Sequence, residues 1–239
     1  MHAFARLAII IFLDLCFMKK KSIQIQVSAE IGNVSGICAI PPAPACVLVL
    51  AHGAGAGMEH SFMETLASRL AEQGIATVRF NFPFTENKKG RPDSPAVAHM
   101  TIKAAIAKTR KLFPDIPLFV AGKSFGGRMS SQYLSANHDD TVKGIIFYGF
   151  PLHPAGKPST DRAEHLKQIH IPMLFLQGTK DTLATWDLIE AVCKPLRSAN
   201  LVKLEGADHS FKAGKKDTMS LLVDATKQWT EKIVARKNK

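Results

Sequence analysis

The stretch LFVAGKSFGGRM, residues 118–129, carries two overlapping chemical patterns. Gly122, Lys123 and Ser124 resemble the end of a phosphate-binding loop, whereas Gly122, Ser124 and Gly126 form G-x-S-x-G. A phosphate loop needs a glycine five positions before Gly122, and that position is Pro117. Leu118, Phe119, Val120 and Ala121 form an apolar, β-prone run in place of a flexible loop whose N–H groups could wrap phosphate. The second pattern needs a strand, a sharp turn and a helix. Residues 117–122 read as the strand, and Phe125 to Ala136 as the helix, with Met129, Tyr133 and Leu134 on its apolar face. Such a turn lifts the Ser124 hydroxyl clear of the sheet edge. Serine alone is a weak nucleophile, so the chain must also supply a base, a group that orients the base, and donors for an oxyanion.

Residues 52–60, HGAGAGMEH, follow an apolar strand. As a dinucleotide fingerprint they fail, because Met58 stands where the third glycine belongs and Arg79 occupies the region of the expected acid. As an oxyanion loop they fit, with the N–H of Ala54 paired with that of Phe125, the residue after the nucleophile. Gly53 and Gly55 then line the site, and His52 borders it and braces the loop. The segment RFNFPF, 79–84, also leaves a strand at its carboxyl end, so Asn81 and Phe82 are expected at the mouth of the site. The base is expected to be His209 in EGADHSF and the acid Asp181 in LQGTKD; each motif follows a strand. Asp208 adjoins His209, but neighbours in an extended loop point to different sides. Asp187 falls in a helical pattern, where it suits the first turn. The order Ser124, Asp181, His209 is the one an α/β-hydrolase arrangement requires. His60, His99, His153, His165 and His170 read as surface or turn residues. Neither H-E-x-x-H nor C-x-x-C occurs, so no metal site and no cofactor are expected.

The elements that would hold these residues alternate. Strand-like runs fall at 23–27, 35–40, 46–51, 76–82, 117–122, 143–149, 172–177 and 200–205. Helical spacing marks 59–73, 95–113, 185–196 and 215–236, with Ser94 and Pro95 opening the second of these. The first two strands are joined by a turn near Gly32–Asn33 and start the sheet antiparallel. From Cys46 onward the order implies parallel strands, and runs such as CVLVLA lack alternation, as strands covered on both faces do. The fold class is α/β: an α/β-hydrolase fold with a mostly parallel twisted sheet, helices on both faces and a minimal lid. Residues 151–170 are the one place for a small cap.

HGAGAGMEHSFM, RFNFPF and GKSFGGRMSS together resemble the KANL/Tex-like group of α/β-hydrolases, close to dienelactone hydrolases. The resemblance covers roughly 22–236. It implies a small hydrolase with little or no lid, its nucleophile on Ser124, its acid on Asp181 and its base on His209. Dienelactone hydrolases carry cysteine at the elbow, and the serine here argues against a dienelactone substrate. Some animal members are held to act as scaffolds, so a non-catalytic interaction protein on the same fold is the alternative.

Composition narrows the rest. A net charge of +11 invites a nucleic-acid reading, but the lysines are dispersed and no aromatics interleave with the clusters Lys19–Lys21 and Arg236–Lys239. Four cysteines without a paired spacing suit a reducing compartment. Residues 1–17 are apolar but too short to span a bilayer comfortably and lack a cleavage site, and they read as an over-extended start rather than a signal or anchor. The expectation is one domain, 18–239, acting in the cytoplasm on a small-molecule ester or thioester, with no nucleic-acid partner and no stable membrane span.

Overall fold

A computed structural model describes residues 18–235. The expectation for residues 1–17 lies outside the described part. Eight strands form one sheet: β1 (Lys19–Ser28), β2 (Gly32–Ile40), β3 (Cys46–Ala51), β4 (Ile75–Phe80), β5 (Leu118–Lys123), β6 (Val142–Tyr148), β7 (Met173–Gly178) and β8 (Ala199–Leu204). Their order across the sheet is β1-β2-β4-β3-β5-β6-β7-β8. β2 pairs antiparallel with both β1 and β4, and every pairing from β4 to β8 is parallel. The carboxyl ends of the parallel strands therefore share one edge, where ligand sites of open α/β sheets assemble.

Helices α1 (Ser61–Glu72), α2 (Pro83–Glu86), α3 (Pro95–Leu112), α4 (Phe125–Ala136), α5 (Trp186–Cys193) and α6 (Thr218–Ala235) connect or follow the strands. The central strands are buried throughout, and their alternate residues feed two cores. Val47, Val49, Val120, Ile145, Phe147 and Phe175 pack with Ile102, Ile106 and Met129 of α3 and α4. Leu48, Leu50, Phe119, Ile146, Leu174 and Leu176 pack with Met63, Leu66 and Leu70 of α1 and Leu222, Trp229 and Ile233 of α6. This two-sided burial is why β3 and β6 read as unbroken apolar runs. Ser94 caps α3 as its sequence suggests, its Oγ accepting from Val97 N at 3.5 Å.

Two short elements escape sequence periodicity, α2 and a 3₁₀-helix over Asp161–Gln168. The latter changes the reading of 151–170. Ala163 and Leu166 are buried in the same core as Met129 of α4, and no residue of 151–170 lines the cavity that Ser124 and His209 open into. The segment is a side support rather than a cap. His153 is also not a surface residue: it is 1 % exposed, and its Nε2 accepts from Thr185 N at 3.0 Å, tying this segment to the loop before α5.

The join between β5 and α4 is tightly packed against the sheet edge. A Cβ at Gly122 would strike Gly127 N, and one at Gly126 would lie 2.6 Å from both Ala51 O and His52 O. Those atoms are backbone and cannot step aside. Gly126→Ala should therefore lower stability by on the order of 3 kcal/mol through overpacking, read as a lower urea midpoint at unchanged slope. An unchanged midpoint would show that the join is looser than its geometry indicates.

Candidate active site

Ser124 occupies the join with φ 49° and ψ −113°. A non-glycine residue there is strained, by about 1–3 kcal/mol, and such strain persists only where the surroundings over-determine it. Here the strand fixes one side, with Ser124 N donating to Tyr148 O at 3.2 Å, and helix α4 fixes the other, with Arg128 N donating to Ser124 O at 3.1 Å.

The ends of β7 and β8 bring the other two groups in. Lys180 N donates to Ala207 O at 2.9 Å and Thr179 N to Leu204 O at 3.1 Å, which holds the two loops side by side. His209 Nδ1 then lies 2.7 Å from Asp181 Oδ2, and His209 Nε2 lies 2.9 Å from Ser124 Oγ. The three sequence-predicted residues are thus brought into one hydrogen-bonded chain. With Nδ1 donating to the carboxylate, Nε2 is the acceptor facing the serine hydroxyl.

Asp181 is 4 % exposed, and its carboxylate is well supplied with donors. Gln177 Nε2 donates to Oδ2 at 2.6 Å and Leu183 N to Oδ1 at 2.8 Å. Gln177 is itself held, its Oε1 accepting from Phe150 N at 2.9 Å. The rivals are elsewhere. Asp208 Oδ1 accepts from Ser210 N at 2.8 Å and Lys212 N at 2.9 Å, shaping the turn that carries His209. Asp187 sits exposed in the first turn of α5.

Residues 52–60 run beside the elbow. Ala54 is exposed and lines the cavity with Gly53 and Gly55, and among the described residues neither Ala54 N nor Phe125 N has a hydrogen-bond partner. The loop is braced from beneath by three polar side chains. Arg79 Nη1 donates to Met58 O at 2.7 Å, and Asn81 Oδ1 accepts from Met58 N at 2.9 Å. His52 Nε2 accepts from Phe82 N at 3.0 Å, so Nδ1 carries the proton and donates to Gly53 O at 2.8 Å. Burial pushes the His52 pKa down to about 4, and the ring is neutral at physiological pH.

This geometry corrects part of the expected lining. His52 and Phe82 are both 0 % exposed, and neither they nor Asn81 reach the cavity. Phe82 packs against His52 at 5.0 Å and Phe125 at 5.3 Å between ring centroids. Asn81 and Phe82 run under the loop from β3, where Asn81 Oδ1 meets Met58 N and Phe82 N meets His52 Nε2. His99 and His165 are half-buried rather than surface residues; His165 Nε2 meets Ser131 Oγ at 2.7 Å. Burial, with Arg128 and His99 nearby, pushes the His165 pKa down to about 4.

The cavity itself is about 750 Å³. Ser124 and His209 open into it, and Phe62, Met63, Leu183 and Met219 supply much of its apolar wall. None of these four was singled out as a site residue by sequence, because each also fits a helical or loop packing role. Lys123 lines it too, although it lies inside the G-x-S-x-G motif and was visible there as the variable position. Among the described residues no group of three or more His, Cys, Asp or Glu could hold a metal ion, and no helix is long and apolar enough to cross a membrane.

A family model for the alpha/beta hydrolase domain matches residues 44–235. The chain belongs to the alpha/beta hydrolase family. A curated relative, proline iminopeptidase of Thermoplasma volcanium, is 33 % identical over 106 residues, which covers 43 % of this chain and only 34 % of that protein. The match thus spans about a third of the relative's length. Among solved structures, an alpha-beta serine hydrolase homologue from Coxiella burnetii superimposes with a TM-score of 0.71 at 23 % identity, covering 86 % of this chain and 96 % of that one. Dienelactone hydrolase from Anabaena variabilis gives a TM-score of 0.71 at 16 % identity, covering 89 % and 96 %. At such identities the likeness is one of fold.

If Asp181 orients His209 and offsets its charge when protonated, Asp181→Asn should lower kcat by about 10⁴-fold, as in protease triads. Asp208→Asn should act through the turn alone and lose far less. Steady-state ester hydrolysis by the two variants checks this, and a greater loss in Asp208→Asn would contradict it.

Proposed function

We propose that the protein is a serine hydrolase acting on esters or thioesters of small to medium acyl groups. The observation that carries this reading is the unbroken chain from Asp181 Oδ2 through both nitrogens of His209 to Ser124 Oγ, ending at an open cavity. In the proposed reaction Ser124 Oγ attacks the acyl carbon as His209 Nε2 takes its proton. The imidazolium, held by Asp181, returns that proton to the leaving alcohol or thiol. Water then repeats the sequence and releases the acid. The N–H groups of Ala54 and Phe125 receive the oxyanion, which would be worth about 2.7–4 kcal/mol per donor.

Within the family, the serine elbow and the HGAGAGMEHSFM loop support placement near KANL/Tex-like members. The alternative of a non-catalytic interaction protein has no use for a strained serine, a base with a fixed tautomer and two uncommitted N–H donors arranged around one point. Cys38, Cys46 and Cys193 are free and buried, which supports a reducing, cytoplasmic setting for the 18–239 domain. Among the described residues no segment covers the cavity, which supports substrates that need no interfacial opening.

A panel of p-nitrophenyl esters graded by acyl length tests the proposal. Turnover should be highest for short and medium chains, and Ser124→Ala should reduce kcat by about 10⁴- to 10⁶-fold. Equal activity in Ser124→Ala would overturn the reading, and a preference for long-chain emulsified lipid would overturn the substrate class.

A further inference from the structure

Lys123 immediately precedes the proposed nucleophile, and its ammonium sits beneath the loop of the proposed base. Its Nζ donates to the backbone carbonyl of His209 at 2.6 Å. It lies 5.1 Å from the ring centroid of Phe211 and 6.0 Å from that of Phe62, two rings stacked 5.7 Å apart. The space around it is kept open at Gly149, whose φ is +72°; a Cβ there would lie 3.2 Å from Lys123 Nζ and 3.6 Å from His209 Nδ1. Phe211, two residues beyond His209, holds a left-handed φ of 64°. Two consecutive residues therefore grip His209. Ser124 meets its ring, and Lys123 holds its main chain.

A half-buried ammonium, drawn partly out of bulk water, is an expensive way to satisfy one carbonyl. An apolar residue of similar length would fill the space beside the two rings. The charge is thus placed where it resists movement of one particular loop: the carbonyl it holds belongs to the residue whose ring must stay within hydrogen-bonding distance of both Asp181 and Ser124. We infer that Lys123 is a positioning residue that fixes the His209 loop and so holds the imidazole in register with Ser124. The inference rests on the Ser124–His209–Asp181 reading above.

The groups facing Lys123 make the clamp sensitive to pH. Burial lowers its pKa from the ordinary lysine value to about 8, against the attraction of Asp181 and Asp208, with the His209 imidazole adjoining. The lysine is protonated below that pH and neutral above it. A neutral amine still donates to the carbonyl, but without charge assistance. Activity that depends on the clamp should therefore decline as pH rises through about 8.

The test uses the full chain, with fluorophosphonate inactivation rate and short-ester kinetics followed from pH 6 to 9.5. Wild type should show an alkaline decline centred near pH 8 in both. Lys123→Met, which keeps the stem and loses the charge, should lower kcat by about 10- to 100-fold, the range for a hydrogen bond to a charged group, with KM little changed and the alkaline decline gone. Lys123→Arg, which stays charged, should recover part of kcat and move the decline upward. A wild-type profile flat across pH 7–9.5 would overturn the inference whether or not the variants fold. So would a Lys123→Met enzyme with wild-type kcat, one with unchanged kcat and raised KM, which would make Lys123 a substrate contact, or one that keeps the decline. Failure of the underlying reading looks different: wild type would then not react with the fluorophosphonate at Ser124.

Discussion

The backbone of Ser124 is the constraint on which the site depends. Its φ of 49° and ψ of −113° reverse the chain between β5 and α4 within one residue. That reversal directs Oγ to His209, leaves the Phe125 N–H unbonded at the start of α4, and requires bare Cα atoms at Gly122 and Gly126. It also brings the β3 loop against the elbow, since the atoms that exclude a side chain at Gly126 are the carbonyls of Ala51 and His52. The strain is local, and the sheet supports it through β3, β5 and β6, each buried along most of its length.

Around this fixed point the other loops are held by polar groups that do no chemistry in the proposed reaction. His52, Arg79 and Asn81 hold the β3 loop by its backbone. Gln177 and Leu183 N hold the Asp181 carboxylate. Asp208 holds the His209 turn. Except in the exposed His209 turn, these bonds take up main-chain or carboxylate groups that burial would otherwise leave costly, so satisfaction of buried polar atoms and precision of the site arise largely from the same bonds. Phe211, another residue with a left-handed φ, lies in the turn that carries the base. Backbone strain thus falls on both sides of the Ser124–His209 contact.

Much of this was legible in the sequence because it follows strand ends. The apolar runs at 46–51 and 143–149 mark strands buried on both faces, and a reactive residue after such a run is placed at the working edge. Helix α4 is legible to its last residue, since Gly126 and Gly127 allow it to start at once and Asn137 follows its apolar spacing. What was not legible depends on which way a side chain turns. Asn81 and Phe82 follow a strand like the others, yet the exit of β4 passes under the loop from β3, and periodicity does not encode that. The 3₁₀-helix at Asp161–Gln168 turns every three residues and so gives no 3.6-residue stripe, and the segment was read as a possible cap. Lys123 was hidden by its type, because a lysine beside a serine suggests phosphate or solvent before it suggests a loop clamp.

The central claim is that Ser124 is activated by His209. The most direct measurement is exposure of the full-length protein to a fluorophosphonate, followed by intact mass and peptide mapping. The account predicts one phosphonyl group per chain, carried on Ser124 and absent from His209→Ala under the same conditions. Modification at another residue, or equal labelling of Ser124 without His209, would contradict it.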